Sequence, residues 1–279
     1  MRQCAVIMYL MNRICFIILL FSAIVVGGCD LAARKDDGAP IGGIKLGHLA
    51  TGSDEKTPPQ LYFRVFTFEL PTEQIDLLQQ AFKLMSKRQI QFAERDAFDA
   101  NGFLAGFGNQ ADWPKLSAEL DKLAARKTAT RNLVVYQAAG DDIAVTLLNS
   151  TEEVAWIDAG GKVKRDRFAV GRFTWMLKAQ PMESIRGVAQ VQIMPAYRLG
   201  SQGFFANLAH MRDDTPFSVG ELKLRMSPGD YLLVASAGEP VGLDGRAIAP
   251  FTINRLLFYS ADRPNTVRMY MVLCARIED

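Results

Sequence analysis

The sequence predicts an α+β protein, in which a small α/β layer of two helices on a few strands is followed by an antiparallel β-sandwich or barrel-like region. Two observations support this class. Between residues 60 and 138, strand-like runs alternate with two amphipathic helical patterns. From 139 to 279 helical patterns nearly vanish, and short β-rich runs alternate with turn signals. We therefore expect an α/β subdomain over 60–138 and a mainly antiparallel β domain over 139–279.

The α/β subdomain is expected to open with a strand over 61–70, which is dense in aromatic and β-branched residues and ends at Pro71. Thr72 is then expected to cap a helix. Apolar side chains recur at helical spacing and predict a buried face made of Ile75, Leu77, Leu78, Ala81, Phe82, Leu84 and Met85.

Three glycines follow, with the spacing GxxxGxG at Gly102, Gly106 and Gly108. This order differs from the GxGxxG of a dinucleotide site, and no GK[ST] follows it. We expect the glycines to permit left-handed turns and close packing of Phe103 and Phe107. A loop that cradles a ligand is the alternative.

A second helix is expected to begin at Asp112-Trp113-Pro114, because a proline in the first helical turn removes no needed N–H group. Its buried face is marked by Leu116, Leu120 and Leu123. The run 130–137 then predicts the strand that completes the layer.

The β domain is expected to contain a series of short strands. They are predicted over 143–148, 153–158, 162–168, 171–180, 187–198, 220–227, 231–236, 253–260 and 266–277. In 187–198, Gln190 and Gln192 alternate with Val191 and Ile193, which is typical of a sheet covered on one side. The basic run 162–167 predicts an edge strand protected by charge. Contact with phosphates of lipid or of peptidoglycan-linked polymers is the alternative.

The N-terminus has the order of a secretory signal. Arg2 and Arg13 are followed by the uncharged run 14–26, which is shorter than the ~20 residues that span a bilayer, and then by two glycines. We therefore predict a signal peptide over 1–28. Translation is expected to start at Met11, which gives a signal of more regular proportions.

Val26-Gly27-Gly28-Cys29 resembles the bacterial lipobox, in which an aliphatic residue and two small residues precede a cysteine. The resemblance implies that Cys29 is diacylated and becomes the mature N-terminus. The family more often has leucine where this chain has Val26. The alternative is an uncleaved signal anchor, which would place Arg13 inside the membrane at a cost of about 2.5–3.5 kcal/mol.

The stretch after Cys29 is polar and rich in glycine, so 29–59 is predicted to be a lipidated N-terminus and flexible tether. The chain is thereby expected in the bacterial cell envelope, facing the periplasm. Asp30 resembles the inner-membrane retention signal of enteric bacteria, but that rule is not general across phyla. Inner and outer membrane therefore both stay open.

Charge and cysteine content exclude further classes of function. The chain has 32 basic and 30 acidic residues, so it has no excess of positive charge that would attract nucleic acid. Of the four cysteines, Cys4 and Cys15 leave with the signal peptide and Cys29 takes the lipid. Cys274 alone remains, so no intramolecular disulfide is expected. Its apolar surroundings predict a buried structural thiol rather than a nucleophile.

No catalytic, cofactor or metal site is predicted. The two histidines, His48 and His210, are too few for a three-histidine metal site. His210 lies near Arg212 and two aspartates in the sequence, so a hydrolase that uses His210 as its base is one hypothesis. The chain has no GxSxG motif, however, to present a serine nucleophile. The paired carboxylates lack the spacing of a calcium loop and are expected to lie in solvated turns. These pairs are Asp141-Asp142, Glu152-Glu153 and Asp213-Asp214.

The leading hypothesis is a lipid-anchored envelope protein that acts as a non-catalytic binding or assembly module. It would contact the membrane through the lipid on Cys29, and its partner would be a protein of the envelope rather than nucleic acid. One alternative is an envelope hydrolase using His210. Another is an accessory protein of a secretion channel, because 220–277 resembles the closing hairpins of secretin-type outer-membrane proteins.

Overall fold

The computed structural model describes residues 59–136, 140–199, 214–240, 248–260 and 263–278. The predicted signal peptide, the predicted lipid attachment residue Cys29, the predicted tether up to residue 58, and both His48 and His210 lie outside these ranges. Thr57–Asp279 forms one compact unit. The strand pairing and the hydrophobic core of the described residues lie within this unit, so we expect it to fold without the residues that precede it.

Most of the described chain is antiparallel β-structure, so the α+β class is confirmed in its mainly β form. The strands in chain order are β1 Gln60–Pro71, β2 Gln91–Phe92, β3 Phe103–Gly108, β4 Arg126–Tyr136, β5 Gly140–Leu148, β6 Glu152–Ile157, β7 Val163–Phe168, β8 Gly171–Pro181, β9 Ala189–Leu199, β10 Asp214–Pro216, β11 Leu222–Met226, β12 Tyr231–Ser236, β13 Tyr259–Ser260 and β14 Arg263–Glu278. The predicted strands of the β domain are thus present, apart from 253–260.

The described helices are short. They are α1 Ile75–Phe82, α2 Arg95–Ala100, α3 Trp113–Lys122 and α4 Ile253–Phe258, with 3-10 turns at Thr72–Gln74 and Ser218–Gly220. Helix α4 replaces most of the strand predicted over 253–260, which was wrong. Its first turn is capped by Thr252, whose hydroxyl accepts a hydrogen bond from the Arg255 N–H. Among the described residues, the helices all fall short of the length and apolarity needed to cross a bilayer.

The strands form two six-stranded sheets and one hairpin. The first sheet has the order β3-β12-β14-β1-β4, with β13 also on β14. The second has the order β2-β11-β9-β8-β5, with β10 also on β9, and β6 pairs with β7. Residue 138 was predicted to separate two domains, but strands from both sides of it share each sheet. Strand β1, for example, pairs with β14 from Gln60 opposite Glu278 to Pro71 opposite Thr266.

One hydrophobic core receives side chains from both sheets. The ring of Trp175 in β8 lies 5.6 Å from that of Phe103 in β3 and 5.8 Å from that of Phe258 in α4. All three side chains are buried. Burying a side chain of this size contributes roughly 1.5–3 kcal/mol, so the contacts between the sheets are a main source of stability.

The two predicted amphipathic helices differ in how much of their apolar face is buried. In α3, Leu116 and Leu120 are buried, and Leu123 just after it is buried too, as predicted. In α1, Leu78, Ala81 and Phe82 are buried. Around α1, Leu77 and Leu84 were predicted to be buried as well, but they are 46% and 52% exposed. The helix packs on the sheet with one narrow face, so a wide apolar stripe leaves its margins in solvent.

The predicted cap at Thr72 is also absent. Thr72 begins the 3-10 turn before α1 and makes no side-chain capping bond there. Its hydroxyl donates instead to the backbone oxygen of Asn265, at 3.4 Å. The contact ties the end of β1 to the start of β14 rather than to the helix.

The glycine-rich stretch forms a turn and a strand. Gly102 has φ of +71°, so the predicted left-handed turn is confirmed there. Gly106 and Gly108 lie inside β3. A Cβ atom at Gly106 would stand 2.6 Å from Met85 Sδ, and one at Gly108 would stand 2.5 Å from the ring of Tyr231. Their role is therefore close approach of neighbouring side chains rather than turn formation. Phe103 and Phe107 are buried, as predicted.

The basic strand β7 is exposed along most of its length and pairs, within the described residues, with β6. The two strands are joined by a turn in which Asp158 accepts hydrogen bonds from the backbone N–H groups of Lys162 and Gly160. These bonds, with the Lys162 bond the stronger influence, lower the pKa of Asp158. The arrangement agrees with a charged strand at the edge of a hairpin.

Candidate binding groove

Strand β1 presents two faces of different character. Leu61, Phe63 and Val65 point into the core and are almost fully buried. Because successive side chains of a strand alternate, Arg64 and Phe66 lie on the opposite face of the first sheet. A groove of about 710 Å³ runs over this face, beside α3. Its hydrophobic lining consists of Phe66, Phe68, Trp113, Tyr231, Met271 and Leu273.

The floor of the groove follows the register of three strands. Phe66 of β1 stands opposite Met271 of β14, and Leu273 of β14 stands opposite Tyr231 of β12. Trp113, at the start of α3, forms a wall, and its ring meets the Tyr231 ring edge-on at 5.8 Å. Tyr231 can lie flat here because its partner across the next pair of strands, Gly108, has no side chain.

Two cations flank this apolar surface. The Lys127 Nζ atom lies 5.8 Å from the centre of the Phe66 ring, within range of a cation–π contact. Arg64 is exposed at the side of the groove. Within the described residues neither cation has an ion pair, and the groove lining contains no carboxylate. Arg263 and Arg268 of the same sheet, in contrast, both pair with Glu69.

The Tyr231 hydroxyl stays protonated over the whole physiological range. Burial of the side chain, with a smaller contribution from the Asp112 carboxylate, raises the pKa of Tyr231 to about 12. A protonated phenol can donate a hydrogen bond to a ligand. The groove therefore offers a broad apolar surface, two positive charges and few hydrogen-bonding groups.

Cys274 lies at one end of the groove but is fully buried, so its predicted burial is confirmed. Its backbone N–H donates to the backbone oxygen of Asp230, and its backbone oxygen accepts from the Gly229 N–H, both at 2.9 Å. Burial, assisted by the negative charge of Asp230, raises the pKa of the thiol to about 12. Such a thiol is a poor nucleophile at neutral pH.

We expect Cys274 to resist a thiol reagent in the folded protein. In a chain beginning at Thr57 it is the only cysteine, so reaction with 5,5′-dithiobis(2-nitrobenzoate) at pH 8 reports on it alone. Reaction should be slow in buffer and complete in denaturing urea. Because the folded pKa lies above the unfolded one, the contribution of this thiol to stability is fully present below about pH 9 and is lost as pH rises toward 12. Rapid reaction without denaturant would contradict the buried assignment.

Two of the carboxylates predicted in solvated turns are instead held in strands by Arg198. The Arg198 side chain, 6% exposed, lies 2.7 Å from Asp142 and 2.7 Å from Asp214. Its Nη1 donates to Asp142 Oδ2, and its Nε and Nη2 donate to the two oxygens of Asp214. Asp142 is buried, so the turn prediction was wrong for it and for Asp214 in β10. Asp141 lies in β5, and Glu152 and Glu153 begin β6, so the turn prediction was wrong for these three as well.

This ion cluster has the character of a structural element. The Arg172 Nη2 atom is a second cation 3.7 Å from Asp142, so two positive and two negative charges balance. Both oxygens of Asp214 are engaged, while His210 and Asp213 lie outside the described residues. In the part of the chain that the structure describes, no three His, Cys, Asp or Glu side chains converge to hold a metal ion.

No protein family model matches this chain, and neither the curated proteins nor the solved structures contain a match to it.

Proposed function

We propose that this chain is a lipid-anchored protein of the bacterial cell envelope whose folded body acts as a non-catalytic binding or assembly module on the periplasmic side. The observation that carries the proposal is the order of 13–29, in which an arginine, an uncharged apolar run and two small residues precede Cys29. The membrane would be contacted through the lipid on that cysteine. A polar, glycine-rich tether would leave the body free to meet its partner in the envelope.

The body itself we interpret as a sandwich of the two six-stranded sheets, with α1 and α3 as a small helical layer on the first sheet. The shared core around Trp175 and Phe103 supports this interpretation. The groove beside α3 is the binding site that we assign to the module. Its size and its apolar lining with a few polar groups are typical of sites for small ligands.

Metabolic labelling with radioactive palmitate tests the anchor. The full chain, expressed in a bacterium, is expected to incorporate label and to sediment with membranes. Cys29→Ser should abolish both, because serine lacks the thiol that takes the lipid. Cys274→Ser is the matched control, since it removes the other cysteine expected in the mature protein and should leave labelling unchanged.

The outcome distinguishes the lipoprotein from the signal anchor. Label that persists in the Cys29→Ser variant would contradict acylation at this residue. An unlabelled wild-type chain that stays in the membrane fraction would instead favour an uncleaved apolar segment. Either result would leave the fold of Thr57–Asp279 and its groove unaffected.

A further inference from the structure

We propose that the groove beside α3 binds a single-chain anionic amphiphile of the fatty-acid type, with its alkyl chain on the aromatic floor and its carboxylate between Arg64 and Lys127. The inference rests on the proposed function in one respect, that the groove is the binding site of the module. It adds the chemical class of the ligand.

The lining of the groove favours an alkyl chain over a peptide. Strand β1 is paired with β14 and β4, and β14 is paired with β1 and β12, so the backbone groups along the floor are already used. The Gly229 N–H at the groove end is bonded to Cys274. A peptide laid here would bury its own amide groups with few partners, at a cost of about 1–3 kcal/mol for each. An alkyl chain carries no such groups.

The charge of the groove favours an anionic head. Lys127 and Arg64 stand on neighbouring strands on either side of Phe66, and none of the described residues that line the groove is acidic. The Asp112 carboxylate acts on Tyr231 from outside the lining and adjoins Trp113 in the sequence. Phe68 is the cross-strand neighbour of Lys127, and Arg64 comes four residues before Phe68. At ~3.3 Å per residue, the two backbone positions are spaced by roughly 13 Å along the strand. The Lys127 Nζ atom, however, reaches back to 5.8 Å from the centre of the Phe66 ring, and Phe66 is two residues from Arg64. A carboxylate over Phe66 therefore lies between the two cations while the chain covers the other rings of the groove.

Tryptophan fluorescence provides a direct measurement. The chain has three tryptophans, of which Trp175 is fully buried and Trp113 lines the groove. The unit beginning at Thr57, first shown to unfold cooperatively, is titrated with three amphiphiles of equal chain length below their micelle-forming concentrations. These are dodecanoate, dodecyl maltoside and dodecyltrimethylammonium. Dodecanoate should give a saturable change at a concentration at least tenfold lower than the cationic amphiphile.

Variants separate the groove from other surfaces. Trp113→Phe should remove most of the fluorescence change while calorimetry still detects binding. Arg64→Gln combined with Lys127→Gln should weaken dodecanoate binding about tenfold and leave dodecyl maltoside binding unchanged. Arg126→Gln is the matched control, because Arg126 is the exposed neighbour of Lys127 in β4 but does not line the groove. It should bind dodecanoate like the wild type.

Each contrary result overturns the proposal. The absence of binding by fluorescence and calorimetry, equal affinity for the three amphiphiles, or an unchanged affinity in the double variant would exclude an anionic amphiphile in this groove. A response to phosphatidylglycerol vesicles without one to monomeric dodecanoate would point to a lipid surface as the occupant. Because the tested unit lacks Cys29, failure here is distinct from failure of the palmitate experiment.

Discussion

Replacing Arg198 by methionine is expected to lower the free energy of unfolding by about 3–5 kcal/mol. Arg198 is the common partner of Asp142 and Asp214, and its side chain is 6% exposed. Methionine fills part of the same volume but leaves Asp142, itself almost buried, with Arg172 as its remaining cation at 3.7 Å. An unpaired charge in a buried site costs far more than the loss of an ion pair at the surface.

Urea unfolding of the unit beginning at Thr57 measures this effect. Arg172→Met is the matched control, since Arg172 is 41% exposed and belongs to the same cluster. It should cost no more than about 1 kcal/mol. The triple variant Arg198→Met, Asp142→Leu, Asp214→Leu should be more stable than Arg198→Met alone, because it removes the uncompensated carboxylates. A triple variant less stable than the single one would show that the cost comes from lost packing rather than from charge.

Local patterns were sufficient for most of the strands and for the buried face of α3. In β9, Gln190 is exposed while Val191 and Ile193 are fully buried, as their alternation predicts. Leu116 and Leu120 likewise fall on the buried face of α3. These features follow from the period of two or 3.6 residues alone, so they are visible without any knowledge of the partner element.

Pairing between distant segments carries the information that local patterns lack. Asp142 and Asp214 were predicted in turns because each belongs to an acidic pair with ordinary turn neighbours. Arg198 of β9 is the common partner of both. Asp214 of β10 stands directly opposite it, and Asp142 of β5 lies across the intervening strand β8. The division at residue 138 was predicted for a similar reason. The pairing of β14 with β1 joins the two ends of the described chain, and no local pattern indicates it.

The groove also depends on distant pairing, although its members carried a weak signal. The strand pattern over 61–70 has aromatic residues at both parities, with Phe63 on one face and Phe66 and Phe68 on the other. A strand that is apolar on both faces is expected to be covered on both faces. In this chain α1 packs on β3 of the first sheet, while Phe66 remains partly exposed in the groove beside α3. The aromatic residues at both parities were the signal for a second apolar surface on β1.

Substitution of Asn254 is expected to have the second large effect on stability. This residue lies in α4, the helix that replaces most of the strand predicted over 253–260. The side chain is fully buried, and its Nδ2 donates to the backbone oxygens of Asn101, at 3.0 Å, and Gly102, at 2.6 Å. Its Oδ1 accepts from the Ser236 hydroxyl at 2.8 Å. Helix α4 is thereby held to the turn before β3 and to the end of β12. Asn254 thus connects α4 to both segments through buried hydrogen bonds.

Asn254→Leu is expected to lower the free energy of unfolding by about 2–4 kcal/mol, because leucine has a similar volume but removes three buried hydrogen bonds. The Asn101 oxygen loses its described partner, while the Gly102 oxygen keeps the Ala237 N–H and the Ser236 hydroxyl keeps Gly238. Asn132→Leu is the matched control at an exposed position of β4 and should change stability by no more than about 0.5 kcal/mol. Urea unfolding of both variants gives the comparison. Equal stability of the two would mean that α4 is held by apolar packing of its leucines and Phe258, and that the hydrogen bonds of Asn254 add little to it.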